Sequence, residues 1–434
     1  MAIQHTARGA ERAQRRDEQY VWHPWSPIDA AGQRVMADRA RGHRLWDADG
    51  TEYLDASSLN STCGYAHPAI VEAAARQLGR LHGVDLSAQS HEPSGLLAER
   101  LAGHLPGGLS RTLFTNSGSE GVEAACLIAA SHWAHRGRPR TRVVTFARGY
   151  HGSTTLARSL SGLPPTSHAF RDPLRVTPVD LPADHRALRA PEFAPRLLAD
   201  FATAVGGDPS DPPMAVVVEP LLNVGGGAVL PPGFLRGLRE LCDTHGTLLV
   251  IDEVFTGVGR TGRMFGFEHD GVEPDVVVSS KGLSGGYAPL AAVSVQQRVY
   301  RTFSEDPVLG GLRYGHTTSG HAVSCAVGLA TLDVVEREGL VENSRAMGAR
   351  LLDGLAPLAG ASGVVDVRGL GLVAVLELAS PEAAAALAGS ARHHRLLVRQ
   401  QGTAVMAVPP LTIDTDAVDE VVARLSAAAR EGGG

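Results

Sequence analysis

The 434-residue sequence predicts an α/β protein, with a large domain on a mostly parallel sheet covered by helices on both faces and a smaller α+β domain. Two observations carry this. Apolar runs of strand length, rich in Val, Ile and Leu, alternate with helical segments through the middle of the chain, and strands of that kind are buried on both faces. After Ser319 the pattern changes to long helical stretches and short strands. At 44% hydrophobic and 20% charged residues, the chain is large enough for two domains around a substantial core.

In order, residues 1–18 are polar and Arg-rich and read as a flexible charged arm. Residues 19–60 form an N-terminal segment that joins the small domain through the stretch around Trp46 to Asp55. The large domain spans 61–325, with strands at 111–116, 142–146, 214–219, 247–252, 275–279 and 290–295. Residues 120–135 and 234–245 carry apolar positions at helical spacing; Pro231 and Pro232 precede the second and Gly246 stops it. The small C-terminal domain, 326–434, reads as long helices, strands within 364–378, a helix at 381–394, short strands around Val398 and at 405–408, and a last helix from Thr415.

A net charge of −6, with no basic run interleaved with aromatics, leaves no electrostatic footprint for nucleic acid. No apolar stretch approaches the roughly 18 residues that span a bilayer, and the first residues lack the apolar centre of a signal peptide, so the expected setting is the cytoplasm, with no membrane partner. Cys63, Cys126, Cys242 and Cys325 are far apart and form no C-x-x-C pair, and the 18 histidines include no H-E-x-x-H; no metal is expected.

Among the 40 Lys and Arg residues there is a single lysine, Lys281. Arginine replaces lysine on solvated surfaces with little penalty, so the one survivor marks a place where a guanidinium fails. A primary amine can lose its proton and condense with a carbonyl; a guanidinium stays charged.

Two glycine-rich motifs are misleading. Residues 257–262 spell G-x-G-x-x-G after a strand, but no helical period follows, as dinucleotide binding in a dehydrogenase would require. Residues 282–286 spell G-x-S-x-G, yet a strand rather than a helix comes next, so Ser284 is a turn residue and not a nucleophile.

The strand at 247–252 delivers Asp252 to its C-terminal end, and the strand at 275–279 delivers Lys281; ligands of open α/β sheets bind at such ends. A buried acid beside an amine that condenses with carbonyls is what pyridoxal phosphate requires, the carboxylate keeping the pyridine nitrogen protonated. Glu253 faces the other way, because side chains alternate along a strand. Ser117, Gly118 and Ser119 lie between a strand and a helix, where backbone N–H groups make an anion cup. Tyr150, followed by His151 and Gly152, ends another strand with a ring able to stack on a pyridine.

The order of these motifs, continued through Glu219-Pro220, Asp252-Glu253-Val254, residues 280–286 and Gly315-His316-Thr317, resembles the class III, ω-type, pyridoxal-phosphate aminotransferases of fold type I. The resemblance runs from Trp22 to Leu411. It implies a seven-stranded-type sheet and a homodimer with active sites at the interface, acting on small-molecule amine and keto substrates by a ping-pong mechanism. It further implies that Lys281 carries the cofactor and moves the substrate proton, and that Asp252 pairs with the ring nitrogen. Ser117, Gly118 and Ser119 would bind phosphate, with Thr317 reaching it from the partner subunit. Tyr150 would stack on the ring, His151 would belong to the same cofactor set, Glu219 would support Asp252, and Val254 would pack beneath the ring. A decarboxylase or aminomutase would use the same lysine and aspartate.

Within that family, Trp22-His23-Pro24-Trp25, residues 398–402 and Val408-Pro409-Pro410 are most similar to the diaminopelargonate synthases of biotin synthesis. That similarity implies substrate contacts by Trp25 and Arg399, the arginine reading a carboxylate. Ser57-Ser58-Leu59-Asn60 lacks the adjacent aromatics of those enzymes, and residues 221–225 lack the gate glutamate of ornithine and γ-aminobutyrate enzymes. His316 and His321 also stand where other residues are usual. The expectation is a biotin-enzyme-like scaffold turned to another acceptor in a biosynthetic, specialised pathway.

Overall fold

The Val/Ile/Leu-rich runs pair into a seven-stranded sheet in the order Leu109–Thr115, Ala291–Gln296, Val276–Ser279, Leu248–Glu253, Ala215–Val218, Arg142–Phe146, Arg175–Val179. The computed structural model describes residues 7–28, 34–167, 172–190, 192–361 and 363–432. Only Ala291–Gln296 runs against its neighbours. Alternation along the central strand separates two cores: Val250 joins Val122, Ala125 and Ile128 of the helix Gly118–His135, while Leu249 and Ile251 join Phe201 and Phe234 on the other face. Phe146, Phe201 and Phe234 pack there with centroids 5.1 to 5.8 Å apart.

The seventh strand, Arg175–Val179, is absent from the sequence-based strands. Only its last residue is buried, and it contains Pro178, which an edge strand tolerates because one side of its ladder is unpaired. Part of the expected arm is helical over Ala7–Tyr20. Its Ala, Arg, Glu and Gln residues are good helix formers, and Gln14 donates to Glu18 one turn on. The expected strand around Val398 divides into two, Leu396–Leu397 and Arg399–Gln401, in different sheets.

Arg399–Gln401 edges an antiparallel sheet with Ala404–Ala407, Ala374–Leu378 and Val364–Gly369. Leu396–Leu397 pairs in parallel with Glu52–Asp55, tying the N-terminal strands to the C-terminal chain. Both glycine-rich decoys are turns. Residues 257–262 open no α-helix, and Ser284 Oγ is buried, donating to the Ala288 carbonyl. Among the described residues no helix is long and apolar enough to cross a membrane.

Candidate active site

The sheet register sets the site. Asp252 lies opposite Val278 and Glu253 opposite Ser279, so the chain reaches Lys281 two residues beyond the paired end of its strand. Ser280 Oγ donates to the Leu290 carbonyl at 2.8 Å and fastens this corner to the reversed strand. The two acids face opposite ways, as alternation requires. Glu253 accepts from the Gly266 and Phe267 amides at 3.0 and 2.8 Å and holds a turn, whereas Asp252 turns to His151.

Asp252 Oδ2 is 2.8 Å from His151 Nδ1, and Oδ1 accepts from the Val254 amide at 3.0 Å. His151 Nε2 meets Thr145 Oγ1 at 3.1 Å, and its amide donates to Ser161 Oγ at 2.9 Å. Burial opposes charge on His151, but the hydrogen bond and charge of Asp252, with the charge of Glu219, outweigh it and raise the pKa. Glu219 accepts from the Tyr150 and Asn223 amides, at 3.1 and 3.3 Å. Burial pushes it up to about 7, against the opposing pull of His151. Burial also holds the Lys281 amine below the usual lysine range; Arg399 pushes the same way, and Asp252 and Glu219 resist.

Ser117 caps the helix Gly118–His135 by accepting from the Glu120 amide. Contacts too close for a side chain fix the cup. A Cβ on Gly118 would lie 2.7 Å from Val254 Cγ1, and one on Gly152, at φ +137°, 2.7 Å from Ser119 Cα. Ser119 Oγ accepts from the Ser153 amide at 3.0 Å, and the Ser119 carbonyl accepts from Thr154 Oγ1 at 3.1 Å, locking the Tyr150 turn to the helix N-terminus.

The Trp25 ring meets Tyr150 edge-on with centroids 6.0 Å apart, and Trp25 itself is held at φ +56°. Arg399 is partly buried, and its Nε is buried without a partner. Thr317 is exposed, beside Thr318, which donates to Asn116 at 2.9 Å. His321 serves as a helix cap, Nδ1 accepting from the Ser324 amide. The structure thus gathers Lys281, Asp252, His151, Glu219, Tyr150, Val254 and the Ser117–Ser119 cup, and brings Trp25 and Arg399 within reach; Thr317 stays on the surface of this chain.

Sequence reasoning missed Phe255, whose ring lies 5.8 Å from Lys281 Nζ, and Thr145 and Ser161, which hold His151. Phe255 was within reach of inference, three residues past Asp252 on the same turn; the other two depend on how distant segments close. The set fits pyridoxal phosphate: a cup kept open by two glycines, the Tyr150 ring on the turn locked to that cup, a buried carboxylate and an amine with a lowered pKa.

Comparison with known proteins agrees. The family model for "Aminotransferase class-III" matches residues 28–429. The chain is 38% identical to the adenosylmethionine-8-amino-7-oxononanoate aminotransferase of Nitratidesulfovibrio vulgaris, over 94% of this chain and 79% of that one. It is 34% identical to an omega-aminotransferase of Caulobacter vibrioides, over 92% and 95%. A thermostable (S)-enantioselective omega-transaminase from Thermomicrobium roseum superposes with a TM-score of 0.92 at 31% identity, covering 98% of each chain. The chain belongs to the class-III aminotransferases, a pyridoxal-phosphate-dependent family of transaminases.

Proposed function

We propose that this aminotransferase moves an amino group between a carboxylate-bearing amine and a keto or aldehyde acceptor, working as a homodimer. The observation that carries it is the chain's one lysine, set beside the Asp252–His151 pair with Arg399 in electrostatic reach. When bound, pyridoxal phosphate supplies an electron sink for the substrate carbon. Ser117, Gly118 and Ser119 would hold its phosphate, and Tyr150 and Val254 would hold its ring. Asp252, oriented by His151, would hold negative charge against the ring nitrogen. Lys281 Nζ would take a proton from the substrate carbon and return it, and burial, which lowers its pKa, favours the neutral amine that this needs. Arg399 would offer its guanidinium to the substrate carboxylate. Exposed Trp22, Val308 and Leu309 give apolar surface for a second copy to cover.

The test is the visible absorption of the protein with pyridoxal phosphate, before and after borohydride, for wild type and Lys281→Ala. A band that amines bleach, that borohydride fixes to the chain and that Lys281→Ala lacks is expected; a band unchanged by the substitution overturns the assignment. A second reading follows from the 38% identical relative. Amination of 8-amino-7-oxononanoate with S-adenosylmethionine as donor would favour it over another acceptor.

A further inference from the structure

Arg260 stands in the turn that leaves the Asp252 strand, and it is 2% exposed. Among the described residues the other buried arginines, Arg142 and Arg368, face carboxylates. Arg260 has no such partner. Its Nη1 donates to the carbonyls of Leu372, at 3.1 Å, and Pro409, at 2.6 Å, and its Nη2 is buried without a partner. A buried cation supported only by carbonyls is costly, so the turn gains from the guanidinium what a neutral side chain would not give: a planar nitrogen, Nη1, whose two hydrogens reach two separate segments.

Both segments belong to the C-terminal part of the chain. The Arg260 carbonyl accepts from the Leu372 amide and from Ser344 Oγ, each at 3.1 Å. The contact is close enough that a Cβ on Gly371 would lie 2.3 Å from the Thr261 carbonyl carbon. Pro409 ends the run that begins with Ala404–Ala407, in which Met406 is the register partner of Arg399. Met406 and Val408 pack with Phe255, whose ring lies 5.8 Å from Lys281 Nζ. On its other side the run is tied to the N-terminal segment, the Val408 amide donating to the Ala56 carbonyl at 2.7 Å. Arg260 therefore joins the turn behind Asp252 to the strand that carries the partner of Arg399.

We propose that Arg260 is a positioning residue that sets where Arg399 stands relative to Lys281, and so governs selection of substrates bearing a carboxylate. The inference rests on the reading of Arg399 as the carboxylate contact.

The test compares an ω-amino acid with the alkylamine of equal chain length, in full-length holoenzyme. Arg260→Lys keeps the charge but loses the planar nitrogen. It is expected to raise KM for the ω-amino acid about tenfold while leaving KM for the alkylamine, and both kcat values, within about twofold. Ser344→Ala, which removes one bond to the Arg260 carbonyl, is the milder variant should Arg260→Lys not fold. It is expected to raise KM for the ω-amino acid about twofold to threefold, with unchanged cofactor absorption. Equal rises for both substrates, or no change in either folded variant, would overturn the proposal. Arg399→Ala separates the two readings. If it leaves the preference for the ω-amino acid intact, the carboxylate reading fails; if it abolishes that preference while Arg260→Lys and Ser344→Ala leave it alone, the positioning role fails by itself.

Discussion

His151 Nδ1 lies 2.8 Å from Asp252 Oδ2, so the carboxylate assigned to the ring nitrogen is already gripped by an imidazole whose far nitrogen rests on Thr145 Oγ1. The pair is buried, and the pKa of His151 is raised by its bond to Asp252 in spite of that burial. A charge-assisted bond in such a setting contributes on the order of 1.5–3 kcal/mol. His151→Gln keeps the size and a donor but cannot carry charge. The expected result is a fall in the single-turnover rate of proton removal from the substrate carbon on the order of tenfold, with cofactor still bound. An unchanged rate would show that Asp252 needs no orienting partner.

Gly118 has no room for a methyl group against Val254. Gly118→Ala is expected to lower stability by about 1–3 kcal/mol by overpacking. It is also expected to weaken cofactor binding, since the clash is relieved by shifting the cup. Trimming the opposing side chain in the double variant Gly118→Ala, Val254→Ala should restore part of both losses. Cofactor titration and urea unfolding read the two effects; no recovery in the double variant would move the cause away from this contact.

Lys281 was legible because composition isolated it, and Asp252 because the strand period separates it from Glu253, whose carboxylate the structure shows turned to the Gly266 and Phe267 amides. Strands buried on both faces were legible for the same reason: their residue choice is forced along the whole length. Arg175–Val179 lies at the sheet edge, where the pattern relaxes. The His151–Asp252 pair joins residues 101 apart, and only the closing of distant strands brings them together. The Arg260 bonds to Leu372 and Pro409 reach backbone carbonyls, which every residue carries, so no residue type announces them. The role expected for Thr317 needs a second subunit, and the present chain shows only an exposed turn.

Trp25 holds a left-handed φ of 56° while its ring meets Tyr150. That conformation costs a bulky L-residue about 1–2 kcal/mol, which glycine avoids. Trp25→Gly is therefore expected to unfold at a higher temperature than Trp25→Ala. If Trp25 is a substrate contact, both are expected to raise KM for amine substrates about threefold to tenfold with little change in cofactor absorption, because the lost ring is the one that meets Tyr150 edge-on. Equal unfolding temperatures would remove the strain argument, and equal KM values would remove the substrate contact.

Glu219 gives the pH dependence its sign. Burial raises its pKa from 4.5 to about 7, so the folded protein binds its proton more tightly than the unfolded chain does. The resulting stability is fully present below pH 4.5 and declines as pH rises through about 7, where the buried group must ionise. The raised pKa of His151 acts in the same direction, above the unfolded histidine value of 6.5. Glu219→Gln keeps an acceptor for only one of the Tyr150 and Asn223 amides, which donate to different oxygens of Glu219, and it cannot ionise. Relative to the wild type, it is expected to gain stability from pH 5 to about pH 7 and to level off towards pH 8, as read from urea midpoints of the apoprotein. The raised carboxylate is the cause only if that gain is present; a variant whose stability stays parallel to the wild type across this range would show that Glu219 ionises normally in the fold.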